Sequence, residues 1–418
     1  MKDAVIVDAY RSPVGRAGDR GVYRAIGPAD LMVPVLKAIM ERNNLDPAEV
    51  DDIVMGSAGL SGIRGMLLVA GFPISVAGTD TQRACASSSQ AIAIASHYVM
   101  NDDADIMIAA GLELQGRRGP VTPDAIGRRG SAEMRGESRR GRPGAPTGSS
   151  QEDYPEDWKH ANTIPGWPTD IPSLSMGQTA EELSERFNIS REDADEYAYH
   201  TQMRYAAAKK AGLFQYEIVP ITINYKDGTS ETITDDQCPR PDTTLEKIKA
   251  LPPAFKENGR VTAGNSCPQN DGAGAVLIMS KEKAKELGMK PMVTIRHAVA
   301  IGVDPTVMGI GPYPATAKLL KRTGMTIKDI DIYEINEAFA CQVLYSGRML
   351  GFGPEEWGKV NPKGGSIAIG HPLGMTGTRQ AAVCVHEMVR RNLQFGIATL
   401  CVGGGQGMAT LFERENYD

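Results

Sequence analysis

Two parts of the chain, one near each end, carry the same alternation of apolar strands and amphipathic helices. In the first part the predicted strands and helices follow one another as AVIVDA, ADLMVPVLKAIMERNN, VDDIVMGSA, RACASSSQAIAIASHYVM and ADIMIAAG. The second part repeats this order as MVTIRHAVAIG, PATAKLLKRTG, IDIYEINEA, TGTRQAAVCVHEMVRRN and FGIATLCVGG. The alternation predicts the α/β class, with a parallel sheet and helices on its faces. The repetition indicates an old duplication of one α/β unit.

The region between these two parts has a different composition. Residues 116–150 contain eight arginines and many glycines and prolines, but almost no large apolar side chains, so they predict a loop. Farther on, MGQTAEELSERF and REDADEYAYHTQMRYAAAKKAG predict helices. We therefore expect an N-terminal α/β half of residues 1–115 with 255–279, an inserted loop domain of residues 116–254, and a C-terminal α/β half of residues 280–418.

Charge, hydropathy and cysteine spacing argue against several classes of protein. The 418 residues carry a net charge of −6, which does not indicate nucleic-acid binding, and no apolar run reaches membrane-spanning length. An apolar strand begins at residue 4 and the chain ends in RENYD, so we expect no signal or transit peptide, no peroxisomal address and a cytoplasmic location. The six cysteines form no CxxC pair and the six histidines no HxxxH pair, so free thiols and no metal site are expected.

One cysteine lies just before a predicted helix. Cys85 precedes three serines, residues 87–89, and the apolar stripe of the helix follows them. We expect the serine hydroxyls to cap the helix, and the positive end of the helix to lower the pKa of the thiol from ~8.5 toward neutrality. Cys85 is then either a buried structural cysteine or a nucleophile, and the second interpretation requires a base and an acid elsewhere.

Three further reactive side chains lie at strand ends or helix entrances in the last third of the chain. Asn336 follows an apolar strand, His371 lies in a glycine-rich turn before a helix, and Cys401 ends a strand that leads into three glycines. Ligands of open α/β sheets bind at such positions, and glycines expose backbone N–H groups that can hold an oxyanion. Each residue alone has an inert structural interpretation, whereas the four together favour an active site.

At this point a series of motifs resembles the thiolase family. The motifs are RSPVG, the Cys85 segment, MGQTAE, RPDTTLEKIKALPPAF, TAGNSCPQNDGAGA, MGIGP, NEAFA, GHPLGMTG and CVGGGQG. They occur in the family's order and span nearly the whole chain. The resemblance implies a thiolase-like fold, with two duplicated α/β halves, layered helices and sheets, and an inserted loop domain.

The resemblance also implies a role for each reactive residue. Cys85 would take the acyl group as a thioester, and His371 would accept its proton. Cys401 would carry a proton to and from the substrate carbon. Asn336 would hold a water that, with His371, stabilises the enolate or thioester oxygen. The backbone N–H groups of Cys85 and Gly403 would form a second oxyanion hole.

Coenzyme A is implied as a co-substrate, with acyl-CoA esters as substrates, no tightly bound cofactor, and a homodimer or homotetramer as the assembly. The residues implied to contact the pantetheine arm are Phe255, Ala263, Cys267, Ala338 and Phe339. Met176 and Met308 would line the acyl pocket, where soft side chains adapt to the ligand.

The sequence departs from the family's pattern at positions expected around this pocket. Ser88 and Ser89 replace a glycine and an apolar residue, Cys267 replaces a serine, Ser175 replaces a histidine, and the loop within 56–71 is short. We therefore expect the thiolytic cleavage of a 3-ketoacyl-CoA with a non-standard acyl group, in the degradative direction. The alternative is a biosynthetic acetyl-CoA C-acetyltransferase, which uses the same groups.

Other functions remain open at this stage. A ketoacyl synthase shares the fold but uses one cysteine with His-His or His-Asn partners, and a non-catalytic CoA-ester binding protein would have lost catalytic residues. A dehydrogenase would need a dinucleotide fingerprint, which the sequence lacks. The arginine-rich residues 117–142 form either a solvated loop or a basic patch for CoA phosphates or for assembly.

Overall fold

The fold is taken from a computed structural model, which describes residues 1–115, 171–225 and 227–415. The arginine-rich segment 117–142 and its two hypotheses lie outside the described residues. The described strands are β1 (Ala4–Arg11), β2 (Gly15–Arg16), β3 (Asp52–Gly56), β4 (Ala77–Thr81), β5 (Ile106–Glu113), β6 (Ile221–Asn224), β7 (Ser230–Ile233), β8 (Asn270–Ser280), β9 (Val293–Gly302), β10 (Ile332–Ile335), β11 (Phe395–Val402) and β12 (Gln406–Glu413).

The described helices alternate with these strands in both halves of the chain. They are α1 (Pro28–Arg42), α2 (Ile63–Ala70), α3 (Ser87–Met100), α4 (Met176–Arg186), α5 (Arg191–Lys210), α6 (Leu245–Lys249), α7 (Lys281–Glu286), α8 (Pro312–Thr323), α9 (Ala340–Leu350), α10 (Pro354–Gly358) and α11 (Thr376–Arg391). Within the described residues, no helix is both long enough and apolar enough to cross a bilayer.

One sheet runs through both halves in the order β10-β11-β12-β9-β1-β8-β5-β3-β4, with β2 added beside β8. The first half, β1-β8-β5-β3, has the same strand order and the same pairing directions as the second half, β9-β12-β11-β10. The predicted repetition is therefore present in the fold. The two halves join where β1 pairs with β9 at Val5 and Ile6.

The expectation of a parallel sheet was wrong. β3 is parallel to β4 and β5, and β10 is parallel to β11, but β8 and β12 run antiparallel to both of their neighbours. The sequence reading did not place β4, β8, β12 or α2. β8 is buried at every position and carries an unbroken run of small and apolar residues, so it lacks the alternation that marks a half-exposed strand.

Helices cover both outer faces of the sheet and also fill a middle layer. α1 and α2 pack on the first half, and α8 and α9 pack on the second half. Between the halves, α3 and α11 share a core made by Ala91, Ile92, Ala381, Val385 and neighbouring apolar side chains. Both halves of the sheet therefore depend on the packing of one central helix pair.

The two central helices meet at their N-terminal ends, where small residues allow close contact. A Cβ at Gly377 would lie 2.2 Å from the backbone nitrogen of Ser89, and a Cβ at Gly111 would lie 2.7 Å from the Cβ of Ser88. The hydroxyl of Ser88 accepts a hydrogen bond from the Thr378 N–H at 3.1 Å. Ser88 and Ser89 are buried where the two helices touch, three and four residues after Cys85.

A buried ionic cluster ties the segment between the halves to both of them. The Arg11 guanidinium donates to Glu217 at 2.8 Å and to Asp236 at 2.7 Å, and Lys363 donates to the same Glu217. Burial alone would raise the pKa of Glu217, but Lys363 and Arg11 lower it to about 2. This carboxylate therefore stays charged and holds strand β1, residues 213–217 and the loop at Lys363 together.

We predict that Gly377→Ala destabilises the fold by ~2 kcal/mol, because the new methyl group must separate α3 from α11. Chemical unfolding monitored by circular dichroism measures this change. Gly65→Ala in α2 is the matched control, since a Cβ there meets nothing within 4 Å; it should leave stability unchanged or raise it by ~1 kcal/mol or less. Equal effects of the two substitutions would contradict the close crossing.

Candidate active site

Cys85 lies in a tight 3-10 turn, Ala84–Ala86, between β4 and α3. Ala84 has a φ of +42°, a left-handed conformation that costs energy in a residue with a Cβ. The hydroxyl of Ser87 accepts from the Arg83 N–H at 2.9 Å and donates to the Ala84 carbonyl at 2.7 Å. We had expected the serines to cap α3, but they do not. Ser87 instead stabilises the strained turn that presents the thiol.

The pKa of Cys85 moves in the direction opposite to the one expected from the sequence. Burial raises the pKa of the thiol to about 11, although the backbone N–H of Gly403 and that of Cys85 itself act to lower it. The loss of hydration therefore outweighs the helix end. Cys85 is a neutral thiol in the resting protein, and two N–H groups are ready to stabilise charge near its sulfur.

His371 is also buried and neutral. The Thr376 hydroxyl donates to the Pro372 carbonyl at 2.8 Å, so it accepts from Nδ1–H of His371 at 2.7 Å. The lone pair of the imidazole is consequently on Nε2. Burial, with the positive charge of Arg379, lowers the pKa of His371 to about 3. The ring is held as a hydrogen-bond acceptor at Nε2.

Asn336 lies next to this lone pair. It follows β10, its backbone N–H donates to Thr399 on β11, and its side chain is fully buried. Its amide nitrogen lies 3.4 Å from Nε2 of His371. The structure therefore brings together the predicted asparagine and histidine, which are 35 residues apart in the chain.

Cys401 lies on β11 and points into an apolar cluster with Met308, Ala338 and Phe339. Its sulfur is 3.6 Å from the side-chain oxygen of Gln342, which accepts from the thiol. Burial raises the pKa of Cys401 well above its ordinary value, and the thiols of Cys85 and Cys267 raise it further. The thiols of Cys85 and Cys267 are therefore close enough to Cys401 to share one site with it.

Gly403 connects this site to the start of α4. A Cβ at Gly403 would lie 3.8 Å from the sulfur of Met176 and 3.9 Å from the Cβ of Ala84. Met176 is 42% exposed, so it stands at the mouth of the site, whereas Met308 is buried beside Cys401. Ser175 caps α4 next to Met176, with its hydroxyl 3.4 Å from the Gln178 nitrogen.

Two aromatic rings continue the wall of the site. Phe255 covers Gly177, where a Cβ would collide with the ring at 2.1 Å, and it packs edge-on against Phe339 at 6.2 Å between centroids. The Cys267 backbone N–H donates to the Ala338 carbonyl at 3.0 Å. Four of the five residues implied to contact pantetheine thus lie together, and Ala263 is the exception. The four are Phe255, Cys267, Ala338 and Phe339.

Ala263 lines a neighbouring cavity of about 460 Å³. Gly264, Ser266 and Pro268 form the same wall, and the basic side chains of Arg16, Arg240 and Lys247 also line the cavity. The sequence reading did not identify these three basic residues. Arg240 and Lys247 belong to the RPDTTLEK stretch, which was quoted only as a motif. Cationic side chains of this kind suit phosphate groups.

Several residues around the reactive groups were also missed. Thr376 fixes the tautomer of His371, Gln342 contacts Cys401, and Glu113 accepts N–H bonds from Ala58 at 3.2 Å and from Gly374 at 2.9 Å. Thr376 and Gln342 lie inside or directly beside the quoted motifs, which was the available signal. Across the described residues, no group of three or more His, Cys, Asp or Glu side chains could hold a metal ion.

Comparison with known proteins identifies families that match this architecture. Residues 4–282 match the family described as "Thiolase, N-terminal domain", and residues 289–414 match "Thiolase, C-terminal domain". The 3-oxoadipyl-CoA/3-oxo-5,6-dehydrosuberyl-CoA thiolase of Escherichia coli is 38% identical over 421 residues, covering 99% of this chain and 100% of the relative.

Solved structures agree with the sequence matches. The acetyl-CoA acetyltransferase of Bacillus anthracis superimposes with a TM-score of 0.84 at 36% identity, with 99% of each chain covered. Human mitochondrial 3-ketoacyl-CoA thiolase in complex with CoA superimposes with a TM-score of 0.82 at 33% identity, covering 99% of this chain and 98% of that one.

We predict that alkylation of Cys85 by iodoacetamide accelerates about tenfold per pH unit between about pH 7 and pH 10, because the thiolate fraction keeps rising below a pKa of about 11. Mass spectrometry of the peptide that contains Cys85 measures the rate, with Cys384, a fully buried thiol on α11, as the internal control. A plateau near pH 7 would show instead that the helix end ionises the thiol.

Proposed function

The chain belongs to the thiolase family of acyltransferases, which act on CoA esters, and from that premise we propose that it cleaves a 3-ketoacyl-CoA with CoA through an S-acyl intermediate on Cys85. The observation that carries this proposal is that Cys401 interacts with Cys85 in one buried site, while the turn that holds Cys85 packs against the turn that follows the neutral His371. Thiolysis needs a sulfur nucleophile, a base for its proton and an acid for the departing carbon.

In the first half-reaction, Nε2 of His371 accepts the proton of Cys85 while the sulfur attacks the 3-keto carbon. The N–H groups of Cys85 and Gly403 hold the oxyanion, in line with their positions at the sulfur. The C2–C3 bond then breaks and its electron pair goes to C2. Cys401 gives its proton to C2, which releases acetyl-CoA and leaves the shortened acyl group on Cys85.

In the second half-reaction, the Cys401 thiolate takes the proton of an incoming CoA thiol, whose sulfur attacks the acyl thioester. Cys85 leaves as a thiolate and recovers its proton from His371. A water held by Asn336, together with His371, stabilises the enolate or thioester oxygen. The Gln342 acceptor supports the role of Cys401 as an acid, since it favours the protonated thiol in the resting site.

The cavity beside Ala263 suits the remote part of CoA. Its basic side chains Arg16, Arg240 and Lys247 match phosphate groups, and its wall continues through Ser266 to the backbone of Phe339, which pairs with Ser266. The pantetheine arm would run from this cavity past Cys267, Ala338 and Phe255 to the thiols. Met176 and Met308 would contact the acyl group.

We infer that the acyl group is a non-standard one and that the direction is degradative. Two departures from the family's pattern adjoin residues that we propose for the pocket, which supports an altered acyl site. Ser175 is next to Met176, and the Cys267 N–H donates to Ala338. The Escherichia coli relative is named for a substrate that ends in a second carboxyl group. The site thiols must stay reduced to act, which favours the cytoplasm as the location.

The exposed edge of β4 supports a homodimer as the assembly. β4 pairs with β3 on one side and has no partner strand on the other among the described residues. The exposed apolar side chains of Leu68, Val69 and Ile74 lie nearby on α2 and in the connection to β4. An open strand edge beside an apolar surface is suited to pairing with a second copy of the chain.

We predict thiolysis of one class of 3-ketoacyl-CoA from a panel of acetoacetyl-, longer-chain, branched, ring-bearing and 3-oxoadipyl-CoA, measured as the loss of the 3-ketoacyl-CoA absorbance. Cys85→Ala should abolish it, while Cys384→Ala, in a buried thiol on α11, should retain it. Acetoacetyl-CoA as clearly the best substrate would favour the biosynthetic acetyltransferase. Equal CoA-ester binding by both proteins without turnover would favour a binding protein.

We predict that the wild-type chain is a dimer by light scattering and that Ile74→Asp weakens it, because a charge then replaces an exposed apolar side chain at the contact. Met349→Asp is the control, since Met349 is a similarly apolar and exposed residue on α9. A tetramer that falls to dimers only in the Ile74 variant would also support this contact, whereas a wild-type monomer would contradict it.

A further inference from the structure

A hydrogen-bonded series of buried polar side chains leads from α11 to the imidazole of His371. Arg379 donates through Nη2 to the Ser366 hydroxyl at 3.0 Å, and Ser366 lies 2.6 Å from the side-chain oxygen of Asn336. The Asn336 amide nitrogen then faces Nε2 of His371 at 3.4 Å. We propose that Ser366 and Arg379 are positioning residues that fix the orientation of the Asn336 amide for the reaction.

The direction of every hydrogen bond in this series of side chains follows from Arg379. A guanidinium group can only donate, so Ser366 must accept from it and turn its own hydrogen toward Asn336. The Asn336 oxygen is thereby committed to Ser366. Its NH₂ group is left to face Nε2 of His371, which carries the lone pair because Nδ1–H donates to Thr376.

Without Ser366, the side-chain amide of Asn336 would have two accessible orientations. In the flipped orientation the carbonyl oxygen would face Nε2 of His371, and this oxygen accepts a hydrogen bond only when Nε2 carries a proton. The flipped amide would stabilise the imidazolium, hold back the proton that His371 must return, and offer no donor to a water or substrate oxygen. Ser366 therefore selects the orientation that keeps His371 a base.

Burial makes this series of side chains rigid. Arg379, Ser366 and Asn336 each have no exposed surface. Nε and Nη1 of Arg379 have no hydrogen-bond acceptor within the described residues, and the nearest carboxylate, Glu334, is 3.8 Å away. The bond to Ser366 is thus the directional contact of this guanidinium, while its charge acts on His371 through space.

The inference rests on the proposed function, because it concerns the residues that the proposal assigns to catalysis. In Ser366→Ala we expect kcat for thiolysis to fall roughly tenfold, with KM for CoA little changed, because the amide is misplaced while the binding cavity is untouched. Ser366→Thr keeps the hydroxyl and should restore most of kcat. Ser96→Ala is the matched control, since this buried serine on α3 donates only to Ala93 of its own helix.

The pH profile separates positioning from a structural effect. In the wild-type protein, kcat/KM should stay level on the acid side down to about pH 5, because His371 remains neutral with a pKa of about 3. In Ser366→Ala the acid limb should move upward by about one pH unit as the flipped amide stabilises the imidazolium, so kcat/KM is measured down to about pH 4. At that pH the variant should lose roughly half of its kcat/KM and the wild-type protein roughly a tenth. The other charged or titratable groups around the site are the same in both proteins; they are Arg379, Glu113, Glu334, Glu337 and the thiols of Cys85, Cys267 and Cys401.

A double substitution tests whether Ser366 acts through Asn336. In an Asn336→Ala background, the further change Ser366→Ala should cost no additional activity. Equal losses in both backgrounds, or a wild-type pH profile in Ser366→Ala, would overturn the proposal. Thermal unfolding of each variant shows whether it folds, and if Ser366→Ala does not, the Ser366→Thr and Ser366→Gly variants carry the same comparison. The proposed function is tested separately, by full thiolase activity of the wild-type protein and its complete loss in Cys85→Ala. A failure of the Ser366 comparison can therefore be told apart from a failure of the proposed function.

Discussion

The close crossing of α3 and α11 is the constraint on which the site depends. Each helix is preceded by a 3-10 turn, Ala84–Ala86 before α3 and Leu373–Met375 before α11, and the two helices lead into equivalent strands of the two halves, β5 and β11. Because Gly111 and Gly377 let the helix ends touch, the cysteine turn of one half meets the histidine turn of the other. A duplication that gave each half one helix entrance could therefore bring the proposed nucleophile and the proposed base together without a separate active-site domain.

The same crossing explains why both reactive groups are neutral at rest. The helix ends that bring them together also exclude water, and burial moves the pKa of Cys85 up and that of His371 down. An ion pair would need hydration that the site does not supply. In the proposed mechanism, the N–H groups of Cys85 and Gly403 act when the substrate places an oxyanion near them, so they stabilise charge that develops during the reaction rather than charge present beforehand.

The sequence predicted the repeated α/β order and the placement of Asn336, His371 and Cys401 at strand ends or helix entrances, because periodic apolar runs and glycine-rich turns are local signals. It did not predict the antiparallel strands β8 and β12, since pairing direction depends on how the halves fold back on each other. The pKa of Cys85 was missed for a related reason. A helix end is visible in the sequence, but the burial that outweighs it comes from Leu400, Val402 and other residues far away in the chain. From the sequence, Ser87 and Ser88 were expected to cap the helix. In the structure Ser87 donates to the Ala84 carbonyl and Ser88 accepts from the Thr378 N–H.

The described part of the segment between the halves contains none of Cys85, Asn336, His371 and Cys401, yet it contacts the loop that leads to His371. Glu337 accepts from Tyr197 and Thr201 on α5 and from Asn361 and the Ile367 N–H in the loop that leads to His371. Gln202, one residue farther along α5, donates to the Ile367 carbonyl and accepts from the Arg240 N–H at the wall of the basic cavity. The same helix therefore touches the loop that carries Ser366 and His371 and the cavity suited to CoA phosphates. In the proposed function, the site for the remote end of CoA and the proposed base His371 therefore share one structural support, Gln202.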